Sequence, residues 1–383
     1  MKKSLIALAV AGAFAAPAAM AEVTLSGAIN VGIALINSDD SVGGTNDGES
    51  RTSLATNYSN INISSSDDIG NGNRVLLNVQ INAGALNNTS SFTNRNSYLG
   101  IEGSWGSFKM GTNENVYERW FYESDPLDGA MGIGGNIQML GQTGLAGAGW
   151  FDVGNGDTVD NGSFWRRTHH TIWYTSPNWN GFTFEIDQTL SAFKSTVAGQ
   201  TVDPTITSIG GQYKPDGMPF FVNIGYEKHN ETLVDFSAVG GSGTDLVDAT
   251  GLSFGGGYTF GPALITARWE SLEWKDKTGG GGKVERDHLW VGLKWSLPTG
   301  YVGAEFGMAN KLKVNGSDLN NSEATMVGLG YFHNLSKQSQ VYAVGTVISN
   351  DDNANYGIGA GTGSTGGFGS DHTAITVGIK HVF

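Results

Sequence analysis

The chain of 383 residues contains no cysteine, so it has neither a disulfide framework nor a thiol nucleophile. Proline is scarce, at 8 residues against 58 glycines, a balance that favours many strands and turns over helices. Beyond the first 21 residues, no stretch approaches the roughly 18 apolar residues that a transmembrane helix needs. These absences leave two classes: an exported soluble β-protein, or a β-barrel that crosses a membrane with strands.

The start of the chain predicts a secretory signal peptide. Lys2 and Lys3 form a positive region, an apolar stretch covers 5–16, and small residues at 19–21 form a cleavage site. We therefore expect two parts: a signal peptide, 1–21, and a single β-barrel domain, 22–383, without a linker. Cleavage changes the formal charge from −14 to −16, a balance that argues against a nucleic-acid partner.

Apolar residues alternate with small or polar residues along the whole mature chain. In the first segment Val23, Leu25 and Ile33 share one face, while Thr24 and Ser26 share the other. The segment 371–383 alternates in the same way and ends on an aromatic residue, Phe383. Alternation alone fits a soluble sandwich as well as a membrane barrel.

The connections favour the barrel. Short polar turns, such as 70–73, 260–262 and 298–300, alternate with long Gly/Asp/Asn-rich segments, such as 38–51, 240–248 and 350–370. A barrel needs this alternation when its two ends face different compartments. Each pair of strands with its loops takes about 45 residues, which predicts an all-β transmembrane antiparallel barrel of roughly 16 strands around an aqueous channel.

Four segments together resemble the general diffusion porins of Gram-negative outer membranes, which are trimeric sixteen-stranded barrels. They are SDDIGNG at 66–72, RNSYLGIEGSWGSFKMG at 95–111, YTSPNWNGF at 174–182 and GIKHVF at 378–383. The resemblance implies an outer-membrane location, a homotrimer, and contact with outer-membrane lipid and lipopolysaccharide. It also implies passive passage of small hydrophilic solutes and ions, without catalysis or a cofactor.

The resemblance further implies that the segment 113–165 folds into the barrel and narrows it. Acids of this loop would face basic residues of the wall and create a transverse field that screens solutes. The loop acids would be Glu114, Glu118, Glu123, Asp125 and Asp128. The basic wall would consist of Arg95, Lys109 and Arg167, with Arg166 replacing Arg167 if the register differs by one, and Arg74 nearer a rim.

The sequence departs from the family pattern on the second strand. Asn60 stands where the family commonly has an arginine, and Ser64 where it commonly has a lysine. With fewer basic groups opposite many loop acids, we expect weak selectivity or a preference for cations.

Two alternatives remain open. Aromatic residues of the loop could guide sugars, as in a substrate-specific porin, or could hold the loop against the wall; they are Trp120, Phe121, Tyr122, Trp150, Phe151 and Trp165. An adhesin or surface-anchor barrel without channel activity would depend on its loops. No segment has the spacing of a catalytic, cofactor or metal motif, because His169 and His170 point to opposite faces and the glycine-rich runs open no helix.

Overall fold

The computed structural model describes residues 22–42, 48–55, 59–83, 95–127, 133–145, 163–164, 167–190, 195–197, 200–234, 236–241, 245–277, 282–358 and 367–383. The predicted signal peptide lies outside these residues. Within the described ranges, no helix is both long and apolar enough to cross a membrane.

The fold consists almost entirely of antiparallel strands. They are β1 (Glu22–Ser38), β2 (Glu49–Ala55), β3 (Asn60–Gly70), β4 (Asn73–Asn82), β5 (Ser97–Gly103), β6 (Gly106–Glu114), β7 (Arg167–Thr175), β8 (Phe182–Thr189), β9 (Ser195–Val197), β10 (Gln200–Val202), β11 (Thr205–Tyr213), β12 (Phe220–Val234), β13 (Asp245–Phe260), β14 (Ala263–Asp276), β15 (Lys283–Leu297), β16 (Gly300–Ala309), β17 (Lys313–Val314), β18 (Ser317–Asp318), β19 (Ala324–Asn334), β20 (Ser339–Asn350) and β21 (His372–Val382). One α-helix, α1 (Val116–Ser124), follows β6, and short 3₁₀ turns occupy Asn136–Gln138 and Ser237–Val239.

Sixteen of these strands, β1, β3–β8, β11–β16 and β19–β21, close into one barrel. Each pairs with its neighbours in chain order, and β1 closes the ring by pairing with β21, from Ala28 opposite Val382 to Ser38 opposite His372. Within this ring of sixteen described strands each strand has a partner on both sides, as a lipid surrounding requires. The short strands extend this wall: β2 continues the pairing of β3 along β1, and β17 pairs with β15. The predicted fold class is confirmed.

The two ends of the barrel differ, as the spacing of the turns predicted. At one end the strands are joined by tight turns. Between β3 and β4, Asn71 and Gly72 adopt φ values of 55° and 73°, the left-handed conformations whose twist matches that of the flanking strands. At the other end lie the long connections, including the segment 115–166 that carries α1.

The outer face of the barrel is apolar and exposed. On β1, Val23 and Leu25 are 67% and 64% exposed, whereas the alternate residues Ala34 and Ile36 are buried inside the barrel. The last strand follows the same rule, with Ile375, Val377 and Ile379 exposed. Because water would penalise so large an apolar surface, this face fits a lipid surrounding.

Candidate functional site

Helix α1 lies inside the barrel against one side of its wall, and groups of the wall bind its first turn. The backbone N–H of Val116 donates to Oδ2 of Asp187 on β8 (2.8 Å), and that of Tyr117 donates to Oγ of Ser208 on β11 (3.2 Å). Asn115 caps the helix by accepting from the N–H of Glu118 (3.0 Å). These contacts satisfy donors that a helix start leaves unpaired, and the Asp187 carboxylate matches the positive end of the helix dipole.

The last turn of α1 is held by a buried arginine. Arg268 on β14 donates to the carbonyl oxygen of Trp120 (2.6 Å) and to Oγ of Ser124 (3.2 Å), and its other donors reach Ser253 and Asn223. A cation at the carbonyl end of a helix is favoured by the same dipole. A carboxylate and a guanidinium of the wall therefore fix the two ends of the helix.

One face of α1 packs against the wall through aromatic side chains. Tyr117 and Phe121 are fully buried, with ring centroids 5.3 Å apart, and Phe164 lies 5.6 Å from Tyr117. Trp120 lies over Gly210, where an added Cβ would stand 2.6 Å from its indole nitrogen. Tyr117, Trp120 and Phe121 thus hold the loop against the wall, whereas the hydroxyl of Tyr122 donates to Glu118 within the helix. Trp150, Phe151 and Trp165 lie outside the described residues.

Beyond the helix, the chain lies on inward-facing glycines. A Cβ at Gly303 would stand 2.5 Å from the carbonyl oxygen of Pro126, and one at Gly292 would stand 2.9 Å from its ring. Leu127 is fully buried and approaches Gly328 and Gly330 in the same way. Part of the high glycine content therefore serves this close approach of loop and wall.

In the structure each of the four described loop acids has a partner on the loop or on the wall. Glu114 pairs with Arg167 and lies 3.9 Å from Arg95, so two predicted wall cations contact it directly. Asp125 is buried and accepts from the backbone N–H groups of Leu127 (2.7 Å) and Asn136 (3.3 Å). Both acids are bound locally and do not face basic residues across a gap.

The other two described acids are bound as well. Glu118 is 1% exposed and accepts from the Tyr122 hydroxyl (3.0 Å), and burial raises the pKa of its carboxyl to about 8. Glu123 accepts from the Gln212 amide and lies 3.5 Å from Nζ of Lys214. The fifth predicted acid, Asp128, lies outside the described residues.

The predicted wall cations fall into three positions. Arg95 and Arg167 are mostly buried beside Glu114, and Arg74 pairs with Glu102 next to the β3–β4 turn, at the rim of the barrel. Lys109 faces the lumen from β6, and Arg166 lies outside the described residues. Of the described wall cations, Lys109 lines the cavity beside α1.

A cavity of about 500 Å³ lies beside α1, lined by Arg119 of the helix and by wall residues that come mainly from β1 and β3–β7. Two cations line it: Lys109, and Arg119 from α1, which pairs with Glu185. The aromatic residues Tyr98 and Trp173 form a second group, in edge-to-face contact at 5.4 Å. Six of the remaining lining residues are amides: Asn60, Asn62, Asn78, Gln80, Asn96 and Asn113. The other four are Ser26, Gly27, Val382 and Phe383.

This lining differs from the one that the predicted transverse field requires. Among the described residues of α1, Arg119 lines the cavity, while Glu118, its neighbour in the chain, is buried and absent from the lining. The reason is helix geometry, since adjacent residues of a helix point in directions about 100° apart. The loop therefore contributes a cation to this cavity, and its four described acids are absent from the cavity lining.

Known proteins match this chain along most of its length. The family model described as Gram-negative porin matches residues 7–353. The chain belongs to the Gram-negative porin family. It spans the outer membrane as a closed sixteen-stranded barrel, and its relatives are channels. Outer membrane porin protein 32 of Delftia acidovorans is 29% identical over the full length of both chains. An outer membrane porin protein of Bordetella pertussis is 26% identical, again over the full length of both chains.

Solved structures agree with this porin in fold. The anion-selective porin from Comamonas acidovorans superposes with a TM-score of 0.71 at 21% identity, covering 95% of this chain and 100% of that one. The trimer form of OmpT from Vibrio cholerae superposes with a TM-score of 0.62 at 14% identity, covering 94% and 99%. At these identities the likeness concerns the fold.

Sequence reasoning missed Arg119 and the amide wall of this porin. The substitution of the expected arginine by Asn60 was the available signal, because Asn60 lines the cavity beside Gln80 and Asn62. Arg119 carries no such signal, since its role depends on which face of a single short helix meets the wall.

The buried carboxyl of Glu118 predicts a dependence of ion preference on pH. Its pKa is raised from 4.5 to about 8, so the group is neutral at about pH 6 and negative at about pH 9. Ionisation adds a negative charge next to Arg119 in the chain, and we expect the relative permeability to anions to fall between these two pH values.

Glu118 also makes the stability of the fold depend on pH. Because its pKa is higher in the folded than in the unfolded protein, the stability that Glu118 contributes is complete below pH 4.5 and is lost as the pH rises through about 8.

The measurement is the reversal potential of the purified porin in a planar bilayer at the two pH values. Glu118→Gln is the matched control, because the amide is neutral at both and can still accept from Tyr122. An equal shift in the variant and in the unmodified porin would contradict the assignment to Glu118.

Proposed function

We propose that this protein is a general porin: a passive, water-filled channel for small hydrophilic solutes and ions, with a moderate preference for anions. The observation that carries the ion preference is the cavity beside α1, into which Lys109 and Arg119 face while the described loop acids are buried or paired. Fixed charges at a narrow point select ions of the opposite sign.

The proposal replaces the expected cation preference with its opposite. That expectation assumed loop acids facing the lumen, whereas Glu114, Glu118, Glu123 and Asp125 each have partners on the loop or the wall. The relative from Comamonas acidovorans is described as anion-selective, which supports the same direction for this chain.

We further propose that the channel is a homotrimer, in contact with outer-membrane lipid and lipopolysaccharide, and that it catalyses no reaction. A neighbour in fold, OmpT of Vibrio cholerae, is described in a trimer form. The sugar-specific alternative loses support, because Phe121 and Trp120 contact the wall.

Single-channel recording tests the proposal. We expect stepped conductance, with steps in threes for a trimer, and a larger conductance in lithium chloride, whose anion is the more mobile ion, than in potassium acetate. A folded protein without conductance would overturn the channel and favour an adhesin or anchor. A larger conductance in potassium acetate would overturn the anion preference.

A further inference from the structure

The cavity beside α1 combines two kinds of chemistry, charged groups and amides, of which a purely electrostatic filter needs only the first. On one side stand the cations Lys109 and Arg119, and on the other a wall of amide side chains from β3 and β4. A filter for chloride requires charge alone. Amides that both donate and accept hydrogen bonds suit a solute with several hydroxyl groups.

The cationic side is partly desolvated. Lys109 is half-buried, its ammonium lies 5.2 Å from the centroid of the Tyr98 ring, and it forms no ion pair with a described carboxylate. Arg119 keeps Glu185 as a partner behind it. A half-buried ammonium attracts an anion more strongly than one in bulk water, because the surrounding protein screens it less.

The amide side keeps spare hydrogen-bonding capacity. Gln80 donates to Asn60 Oδ1 (3.3 Å), and Asn78 donates to the backbone carbonyl of Asn96. Each primary amide carries two donor hydrogens and an oxygen that accepts twice, so these bonds leave other positions for a solute. The side-chain amide of Asn62 forms no hydrogen bond within the described part of the chain, although it lines the cavity.

We propose that this cavity is a transient binding subsite for small polyhydroxy carboxylates. The carboxylate lies at the Lys109 and Arg119 side, and the hydroxyl groups bond to the amides of Asn62, Asn78 and Gln80. A solute with both features makes contacts that a simple carboxylate or a neutral polyol makes only in part. The inference rests on the proposed anion-preferring channel and names the solute class that the same lumen holds longest.

The test compares three six-carbon solutes by their block of ion current through the purified porin in a planar bilayer. Gluconate has both a carboxylate and hydroxyl groups, hexanoate has the carboxylate alone, and glucitol has hydroxyl groups alone. We expect the half-blocking concentration of gluconate to be lower than that of either control by about tenfold or more. This comparison uses the unmodified protein and does not depend on the folding of a variant.

Two variants locate the subsite. Asn62→Leu is expected to raise the half-blocking concentration of gluconate several-fold and to leave that of hexanoate unchanged. Gln338→Leu, an amide-to-leucine change in the exposed β19–β20 turn, is expected to leave all three values unchanged.

The outcomes separate this inference from the proposed function. If the channel prefers anions but gluconate blocks no better than hexanoate, the subsite is overturned and the anion-preferring porin stands. If gluconate blocks best but Asn62→Leu and Gln338→Leu have equal effects, binding lies elsewhere and the assignment to this cavity is overturned. A cation-preferring channel would overturn both.

Discussion

Replacing Lys109 by glutamate is expected to reverse the ion preference of the channel from anions to cations. Lys109 faces the cavity from β6 without an ion pair to a described carboxylate, so the substitution turns an attractive site for anions into a repulsive one. The new carboxylate also lies on the same cavity as Arg119 and offsets part of its charge.

The effect is large because the charge is close to the path and partly shielded from water. A unit charge about 5 Å from an ion contributes about 3 kcal/mol at an effective dielectric constant of about 20, before screening by salt. After screening, we expect the chloride-to-potassium permeability ratio to fall by about fivefold to tenfold.

Lys109→Arg is the matched control, since it keeps the charge and should keep the sign of the reversal potential. A Lys109→Glu channel that still prefers anions would show that the preference arises elsewhere, for example at the rim.

Releasing helix α1 from its arginine is expected to widen the channel. In Arg268→Met, a side chain of similar length keeps apolar volume but loses the donors to Trp120, Ser124, Ser253 and Asn223. Hydrogen bonds from a charged group contribute about 1.5 to 3 kcal/mol each, and leaving their partners without donors costs more. We therefore expect the helix to detach from the barrel wall in a substantial fraction of channels.

Single-channel conductance and the swelling of liposomes in sugars of increasing size measure this release. Conductance and the largest permeating sugar should both increase, while the barrel remains folded, as judged by its mobility in unheated detergent gels. Arg74→Met is the control, because Arg74 lies at the rim with its side chain 56% exposed and should alter conductance little. A folded Arg268→Met porin with unchanged conductance and unchanged sugar exclusion would show that Arg268 is not needed to hold α1 against the wall.

The fold was predictable because barrel strands repeat a simple rule. Residues such as Leu25 and Ile33 alternate with Ser26 and Ala34, and the exposed apolar face follows that parity. The residues Asn71 and Gly72 predicted a tight turn between two strands, because asparagine and glycine are among the few residues that readily adopt positive φ. Both signals are local, so a single sequence carries them.

The interior was harder to predict because it depends on contacts between distant parts of the chain. Arg268 points to the inside of the barrel from β14, but α1 covers it, so its charge holds a helix and does not meet solutes. Glu118 and Arg119 are neighbours in the chain, yet Glu118 is buried and Arg119 lines the cavity. No local pattern of the sequence decides which of the two is buried. Asp187, which binds the start of α1, lies 71 residues further along the chain from Val116.

The central claim is that the loop presents a cation to the cavity beside α1, whereas its four described acids are absent from the lining of that cavity. The reversal potential of the unmodified porin, recorded in a KCl gradient at about pH 6, where Glu118 is neutral, tests it most directly. A potential of the sign set by chloride, with a chloride-to-potassium permeability ratio above unity, is the predicted result. A potential of the sign set by potassium would show that acids dominate the narrow part of the channel and would contradict the account.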